Sequence, residues 1–291
     1  MAGPPQFVLF GDSITQMSFS PYTGQETGSA FPFGAALADV YARRLDVVNR
    51  GLSGFNTAQA LRVLPRCMPP PAHARMRFLT IFFGANDARV PGSPGGPDQS
   101  VSREDFMRNL RSMVQHPAVQ AHSDVKVILI TTPPVDERKC AQADREKYPD
   151  LGLRDGELRR TAEGARRYAQ AVRDVGAETG VPVCDIWTAM MLRAGYTPSD
   201  IGEHPEGGKT SASSESSSMP PLIGSMAAPA NEILQAFLED GLHFSGKGYR
   251  VLFDELMSLI QREFPNEMPD KLPMFISAWD DAQAWRSGRE I

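Results

Sequence analysis

Five short apolar runs, each closed by a glycine or a polar turn, constrain this chain more than any other feature. They are Phe7 to Phe10, Leu45 to Asn49, Phe78 to Phe83, Val125 to Ile130 and Val181 to Cys184. The stretches between them change period from 2 to 3.6. Leu37, Val40 and Tyr41 line a helix predicted over 33–44, and a second is predicted over 58–65. Phe106, Leu110 and Met113 line one capped by Ser102. Leu158, Ala162, Ala165, Ala169 and Val172 line one over 157–179, and Val251, Leu252, Leu256 and Leu259 line the last. Strands that alternate with helices pair in parallel, with the helices covering both faces. The reading is one α/β domain over 1–291, a three-layer sandwich around a five-stranded parallel sheet, with no internal repeat.

Two segments depart from that rhythm. Residues 203–231 are rich in Gly, Ser and Pro around Ser211 to Ser218, too polar to bury a core, and a mobile surface insertion is expected. Deleting 207–221 is therefore expected to leave folding intact. A carboxyl-terminal extension over 264–291 carries Leu272 to Phe275, Trp279 and Trp285. The arginines of the 157–179 helix, Arg159, Arg160, Arg166 and Arg167, read as a solvated outer face.

Composition narrows the partners. A formal charge of −5 gives no footprint for nucleic acid or an anionic membrane. No run is long enough for a membrane span, so a small neutral substrate fits better. Cys67, Cys140 and Cys184 are far apart and form no CxxC pair; reduced thiols, no metal site and a cytoplasmic setting follow as expectations. The first apolar run belongs to the motif strand and no basic segment precedes it, so no leader is expected.

The chemistry-bearing residues fall in four loops. Ser13 follows the first strand and opens a helix, Gly54 lies in the loop after the second, and Asn86 closes the third. In a parallel sheet these loops line one edge, where ligands bind and where helix amino ends offer free N–H groups. Asp240 and His243, three residues apart, lie on one side of a turn, so the carboxylate can orient the imidazole. A serine hydroxyl becomes a nucleophile when such an imidazole takes its proton. The N–H groups of Ser13 and Gly54 and the Asn86 amide are candidate donors for the oxyanion that forms. Taken singly, each has a plainer reading: Ser13 as a helix cap, Gly54 as a turn glycine, Asn86 as an Asx turn. His73, His116, His122 and His204 lie beside prolines or in polar loops and read as surface residues.

Taken in order, Gly11-Asp-Ser13, Asn49 to Thr57 around Gly54, Gly84-Ala-Asn86 and Asp240-Gly-Leu-His243 resemble the four blocks of the GDSL, or SGNH, hydrolases. The resemblance runs from Phe7 to Glu263 and implies a flavodoxin-like sheet carrying a serine esterase site. Ser13 would be its nucleophile, Asp240 and His243 the rest of the triad, and Ser13, Gly54 and Asn86 the oxyanion hole. Asn49 to Thr57, Thr132-Pro-Pro134 and the tail motif Leu272-Pro-Met-Phe275 with Trp279 are similar to the isoamyl acetate-hydrolysing esterases. That subgroup implies short-chain esters of small alcohols, no cofactor, and a homodimer as an open partner. The Ser-rich insertion and the tail beyond Met274 depart from it. A carbohydrate O-deacetylase on the same site, or a binding protein that keeps the fold without turnover, remain as alternative readings.

Overall fold

The computed structural model describes residues 3–21, 30–151, 153–154, 156–197 and 221–286. Its five strands are β1 (Gln6–Gly11), β2 (Asp46–Gly51), β3 (Met76–Phe82), β4 (Lys126–Ile130) and β5 (Val183–Cys184), in the spatial order β2-β1-β3-β4-β5. Every pairing is parallel. The predicted sheet is the one observed, with β5 shortened to two residues.

Alternation along the strands feeds two cores. Phe7 and Leu9 of β1 join Phe78 and Phe82 of β3 on one face, against Leu37 and Tyr41 and against Leu252 and Leu256. Val8 and Phe10 point the other way, with Leu79, Ile81 and Phe83, onto Ala60, Leu64, Phe106, Leu110, Val172 and Val175. A strand buried on both faces needs apolar residues at successive positions, which is why the run Phe7 to Phe10 has no polar member. Phe7 stacks on Phe78 with ring centroids 4.7 Å apart. Burying each such ring contributes about 1.5–3 kcal/mol.

The helices follow from local sequence. A short helix α1 (Ser13–Gln16) leaves β1, and α2 (Phe33–Val40) lies on the first face. Asn56 opens α3 (Thr57–Cys67) with a capping box to Gln59, and Ser102 caps α4 (Arg103–Val114). A four-residue turn, α5 (Pro117–Gln120), follows. Next comes α6 (Glu137–Lys147), capped by Asp136, which the apolar pattern does not predict because only Glu137, Cys140 and Ala141 of it are buried. The helix predicted over 157–179 begins instead at Ala162, with Thr161 as cap, and forms α7 (Ala162–Thr179). Leu158, Arg159 and Arg160 therefore precede the helix. Asp185 caps α8 (Ile186–Arg193), Asn231 caps α9 (Glu232–Phe237), and Ser245 caps α10 (Gly246–Glu263).

Part of the expected insertion is built into the fold. Leu222 and Ile223 pack on the core and Ala228 is buried. The Glu137 N–H donates to Gly224 O at 2.8 Å, and the Met226 N–H donates to the Glu137 carboxylate at 2.6 Å. Backbone groups paired in this way hold a chain whose composition reads as a mobile insertion. Residues 203–220, with nearly all of the 207–221 deletion segment, lie outside the described residues. In the tail, Leu272 is buried and the Phe275 N–H donates to Arg43 O, whereas Ile276, Trp279 and Trp285 are exposed. Among the described residues no helix is long and apolar enough to cross a membrane.

Candidate active site

The register of β1 sets the height of everything at the sheet edge. Gly11 lies opposite Gly51 of β2 on one side and Phe82 of β3 on the other, so the loops after the three strands emerge level. A Cβ on Gly11 would come within 2.1 Å of Thr15 Oγ1 and 2.6 Å of Phe82 O, and one on Gly51 within 2.0 Å of the Gln16 N. Only glycine lets α1 turn back this tightly over the strand ends. Asp12 caps α1 by accepting the Ile14 N–H at 3.0 Å, and the Tyr249 hydroxyl donates to Ile14 O at 2.6 Å. Ser13 is thus fixed at the first position of a helix, where N–H groups have no intrahelical partner.

The loop between α9 and α10 brings the histidine to it. An antiparallel bridge pairs Leu238 with Phe244, and the Glu239 N–H donates to His243 O at 2.8 Å. Gly241 takes φ +87°, and a Cβ there would lie 2.5 Å from Cys140 N and 2.6 Å from Asp136 O. The tight turn lets Asp240 Oδ1 accept two N–H groups, from Leu242 at 3.0 Å and His243 at 2.8 Å. Its other oxygen, Oδ2, stands 2.6 Å from His243 Nδ1, and His243 Nε2 stands 2.9 Å from Ser13 Oγ. Burial pushes the Asp240 carboxyl up, but the His243 ring and the two N–H donors outweigh it and hold the group well below the usual carboxylate range. An ionised carboxylate at Nδ1 keeps the proton on that nitrogen and leaves the Nε2 lone pair facing the serine hydroxyl.

The other candidate oxyanion residues, Gly54 and Asn86, line the same cleft as Ser13. Gly54 has φ +81°, and its carbonyl accepts from Gln99 Nε2 at 2.7 Å. Asn86 is buried; its Nδ2 donates to Phe55 O at 2.9 Å and its Oδ1 accepts from Arg160 at 3.0 Å. A cleft of about 160 Å³ joins these groups, lined also by Ser53, Gln99, Asp144, Lys147 and Tyr148. The structure therefore brings Ser13, Gly54, Asn86, Asp240 and His243, the five residues expected from the sequence, to one cleft.

Two expectations from the sequence are corrected here, and one element is added. Arg159 and Arg160 are not on a solvated face: both line the cleft, with Arg159 paired to Asp144 at 2.7 Å and Arg160 donating to Ala85 O at 2.9 Å. His122 is not a surface residue. It is buried, accepting the Met76 N–H on Nδ1 at 3.1 Å, so its Nε2 carries the proton toward Pro69 O at 2.9 Å. The added element is α6, which supplies Cys140, Asp144 and Lys147 to the cleft. Its signals were Asp136 at the cap, Glu137 in the first turn, and Arg145 and Lys147 in the last. Burial pushes the Cys140 thiol far up, so it is a neutral group and no rival nucleophile. Among the described residues no group of three His, Cys, Asp or Glu side chains is arranged to hold a metal ion.

Two buried carboxyls support the loops. Burial raises Asp12 to about 6, against the Ile14 N–H bond and the charges of His243 and Arg160. Asp87 Oδ1 accepts from the Thr57 N–H at 2.9 Å and the Thr57 hydroxyl at 2.5 Å, while its Oδ2 has no partner. Burial raises Asp87 to about 7 despite those bonds. Between the unfolded value near 3.8 and about 7, the folded state holds a proton that the unfolded state has lost, so rising pH costs stability across that window. Asp87→Asn keeps the Thr57 bonds and removes the titration. Its melting temperature should fall less than the parent's between pH 5 and 7, the remaining slope coming from Asp12. Equal slopes in the two proteins would show that Asp87 is ionised throughout.

The family model for the GDSL-like lipase/acylhydrolase family matches residues 9–207, more than half of the chain. The chain belongs to the GDSL-like lipase/acylhydrolase family. The matched GDSL segment includes Ser13, Gly54 and Asn86, and the geometry above adds Asp240 and His243 to them. The isoamyl acetate-hydrolyzing esterase 1 homolog of Homo sapiens is 33% identical over 95% of this chain and 88% of its own. The isoamyl acetate-hydrolyzing esterase of Saccharomyces cerevisiae is 30% identical over 95% of this chain and 94% of its own. In fold, the chain is similar to a lipase/acylhydrolase from Enterococcus faecalis, with a TM-score of 0.52 and 24% identity over 93% of this chain and 98% of that one. The family match and these two esterase relatives make the protein a carboxylic ester hydrolase.

Proposed function

We propose that the protein is a serine esterase that cleaves short-chain, acetate-type esters of small alcohols through an acyl-enzyme. The observation that carries this is the series Ser13 Oγ, His243 Nε2, His243 Nδ1, Asp240 Oδ2, with contacts of 2.9 and 2.6 Å. His243 takes the hydroxyl proton as Ser13 Oγ bonds to the ester carbonyl carbon. The carbonyl oxygen becomes an oxyanion in front of the Ser13 and Gly54 N–H groups and Asn86 Nδ2. His243 then gives its proton to the alkoxide as the ester C–O bond breaks, releasing the alcohol. Water, deprotonated by the same imidazole, attacks the acyl-serine, and as the Oγ–acyl bond breaks His243 returns the proton to Ser13 Oγ and the carboxylic acid leaves.

The names of the yeast and human relatives and the small cleft support a short acyl chain and a small alcohol. A polar lining of Ser53, Gln99, Lys147 and Arg160 favours a second reading, an O-deacetylase acting on acetylated sugars. One experiment addresses both. With p-nitrophenyl esters, a burst followed by steady turnover is expected, and kcat/KM should fall at least about tenfold between acetyl and octanoyl. Faster acetate release from isoamyl acetate than from acetylated xylan supports the first reading and the reverse order the second. A preference for octanoyl would contradict both.

A further inference from the structure

The arginine that the apolar pattern assigned to a solvated helix face has a different place. Arg160 precedes α7, whose cap Thr161 fixes the chain there, and its neighbour Arg159 is held by Asp144. The Arg160 side chain reaches the turn after β3 with two donors. Nε donates to Ala85 O at 2.9 Å and Nη2 to Asn86 Oδ1 at 3.0 Å, so one planar group grips two consecutive residues of that turn. Burial and the nearby Arg159 both disfavour a charge at this position. A cation kept there at that cost needs a role.

We propose that Arg160 is a positioning residue that locks the Asn86 amide with its N–H into the oxyanion hole. This rests on the oxyanion reading of Asn86 given above. An amide has two near-isosteric ends, and which end faces a site depends on its neighbours. Here Phe55 O accepts one Nδ2 proton at 2.9 Å, and Arg160 donates to Oδ1. A flipped amide would set NH₂ against a guanidinium and its oxygen against a carbonyl, two repulsions at once. The correct orientation leaves the second Nδ2 proton for the cleft. A hydrogen bond from a cation also draws electron density toward Oδ1, which makes that N–H a stronger donor as negative charge develops on the substrate oxygen. Arg160 thus acts through Asn86 and touches no reacting atom.

A double-mutant cycle on the full chain tests this, with kcat and KM measured on p-nitrophenyl acetate for Arg160→Ala, Asn86→Ala and both together. Arg160→Gln, which keeps most of the volume and one amide donor, serves if Arg160→Ala does not fold. Expected are a kcat for Arg160→Ala lowered about 10–100-fold with KM within about twofold, and a double variant no slower than Asn86→Ala alone within about threefold. Arg160→Gln should fall between the parent and Arg160→Ala. Added guanidinium ion, at millimolar concentration, should restore part of the kcat of Arg160→Ala and none in the double variant. Losses that multiply in the double variant overturn the proposal, as does a raised KM with kcat intact, which would make Arg160 a substrate anchor. If Asn86→Ala alone leaves kcat unchanged, the oxyanion reading itself falls and the proposal with it, a result distinct from the other two.

Discussion

Ser13→Ala should lower kcat by on the order of 10⁵–10⁶, the largest loss expected of any single substitution in this protein. The covalent route needs an oxygen at that position, and the cleft offers no substitute: the Cys140 thiol is held neutral by burial. His243→Ala should cost nearly as much, because in the proposed mechanism the imidazole 2.9 Å from Ser13 Oγ is the base for its proton. The pair acts as a unit, so the double variant should be no slower than either single one. Any residual turnover comes from binding and from the Ser13 and Gly54 N–H groups, which both variants keep. Steady-state kinetics on p-nitrophenyl acetate, with circular dichroism to confirm folding, measure this. Losses that multiply in the double variant would mean that Ser13 and His243 serve different steps.

The second large effect concerns Asp240. Its Oδ1 accepts two backbone N–H groups and its Oδ2 meets His243 Nδ1, so one carboxylate both builds the turn and orients the ring. Asp240→Asn separates the two tasks. The amide oxygen can still accept the N–H groups of Leu242 and His243, so the turn and the melting temperature should be nearly kept. The amide nitrogen then faces Nδ1 as a donor, which forces the imidazole proton onto Nε2 and leaves no lone pair toward Ser13. A loss of about 10⁴ in kcat is expected from that tautomer change. Were Asp240 only a turn-capping residue, the variant would keep its full kcat.

Much of this arrangement was legible in the sequence because it depends on short-range rules. The run Phe7 to Phe10 must be a doubly buried strand, Gly11 must end it, and the serine that follows must stand at the sheet edge. Asp240 and His243 were legible for the same reason, since a spacing of three in a turn decides which side chains meet.

What was not legible depends on distant partners. Arg160 has the composition of a helix surface, and only Ala85 and Asn86, some 75 residues earlier, make it an inward-facing group. His122 has polar neighbours in sequence, yet it is buried by the backbone of Met76 and Pro69. Helix α6 has no apolar stripe, because its buried side holds only small or polar residues against the cleft and the 221–231 segment. That segment reads as a mobile insertion by composition, and its order comes from the packing of Leu222 and Ile223 and from bonds to Glu137 and Arg138 that no local pattern encodes.

The proposed mechanism makes Ser13 a nucleophile activated by His243. A fluorophosphonate reacts with such an oxygen by displacing fluoride and leaves a stable phosphonyl-serine. Intact-mass and peptide mass spectrometry of the treated parent protein should therefore show one adduct per chain, on the peptide containing Ser13, formed in step with loss of esterase activity and absent from His243→Ala. A fully active parent that stays unlabelled, or one that loses activity with the adduct on another residue, would contradict the account.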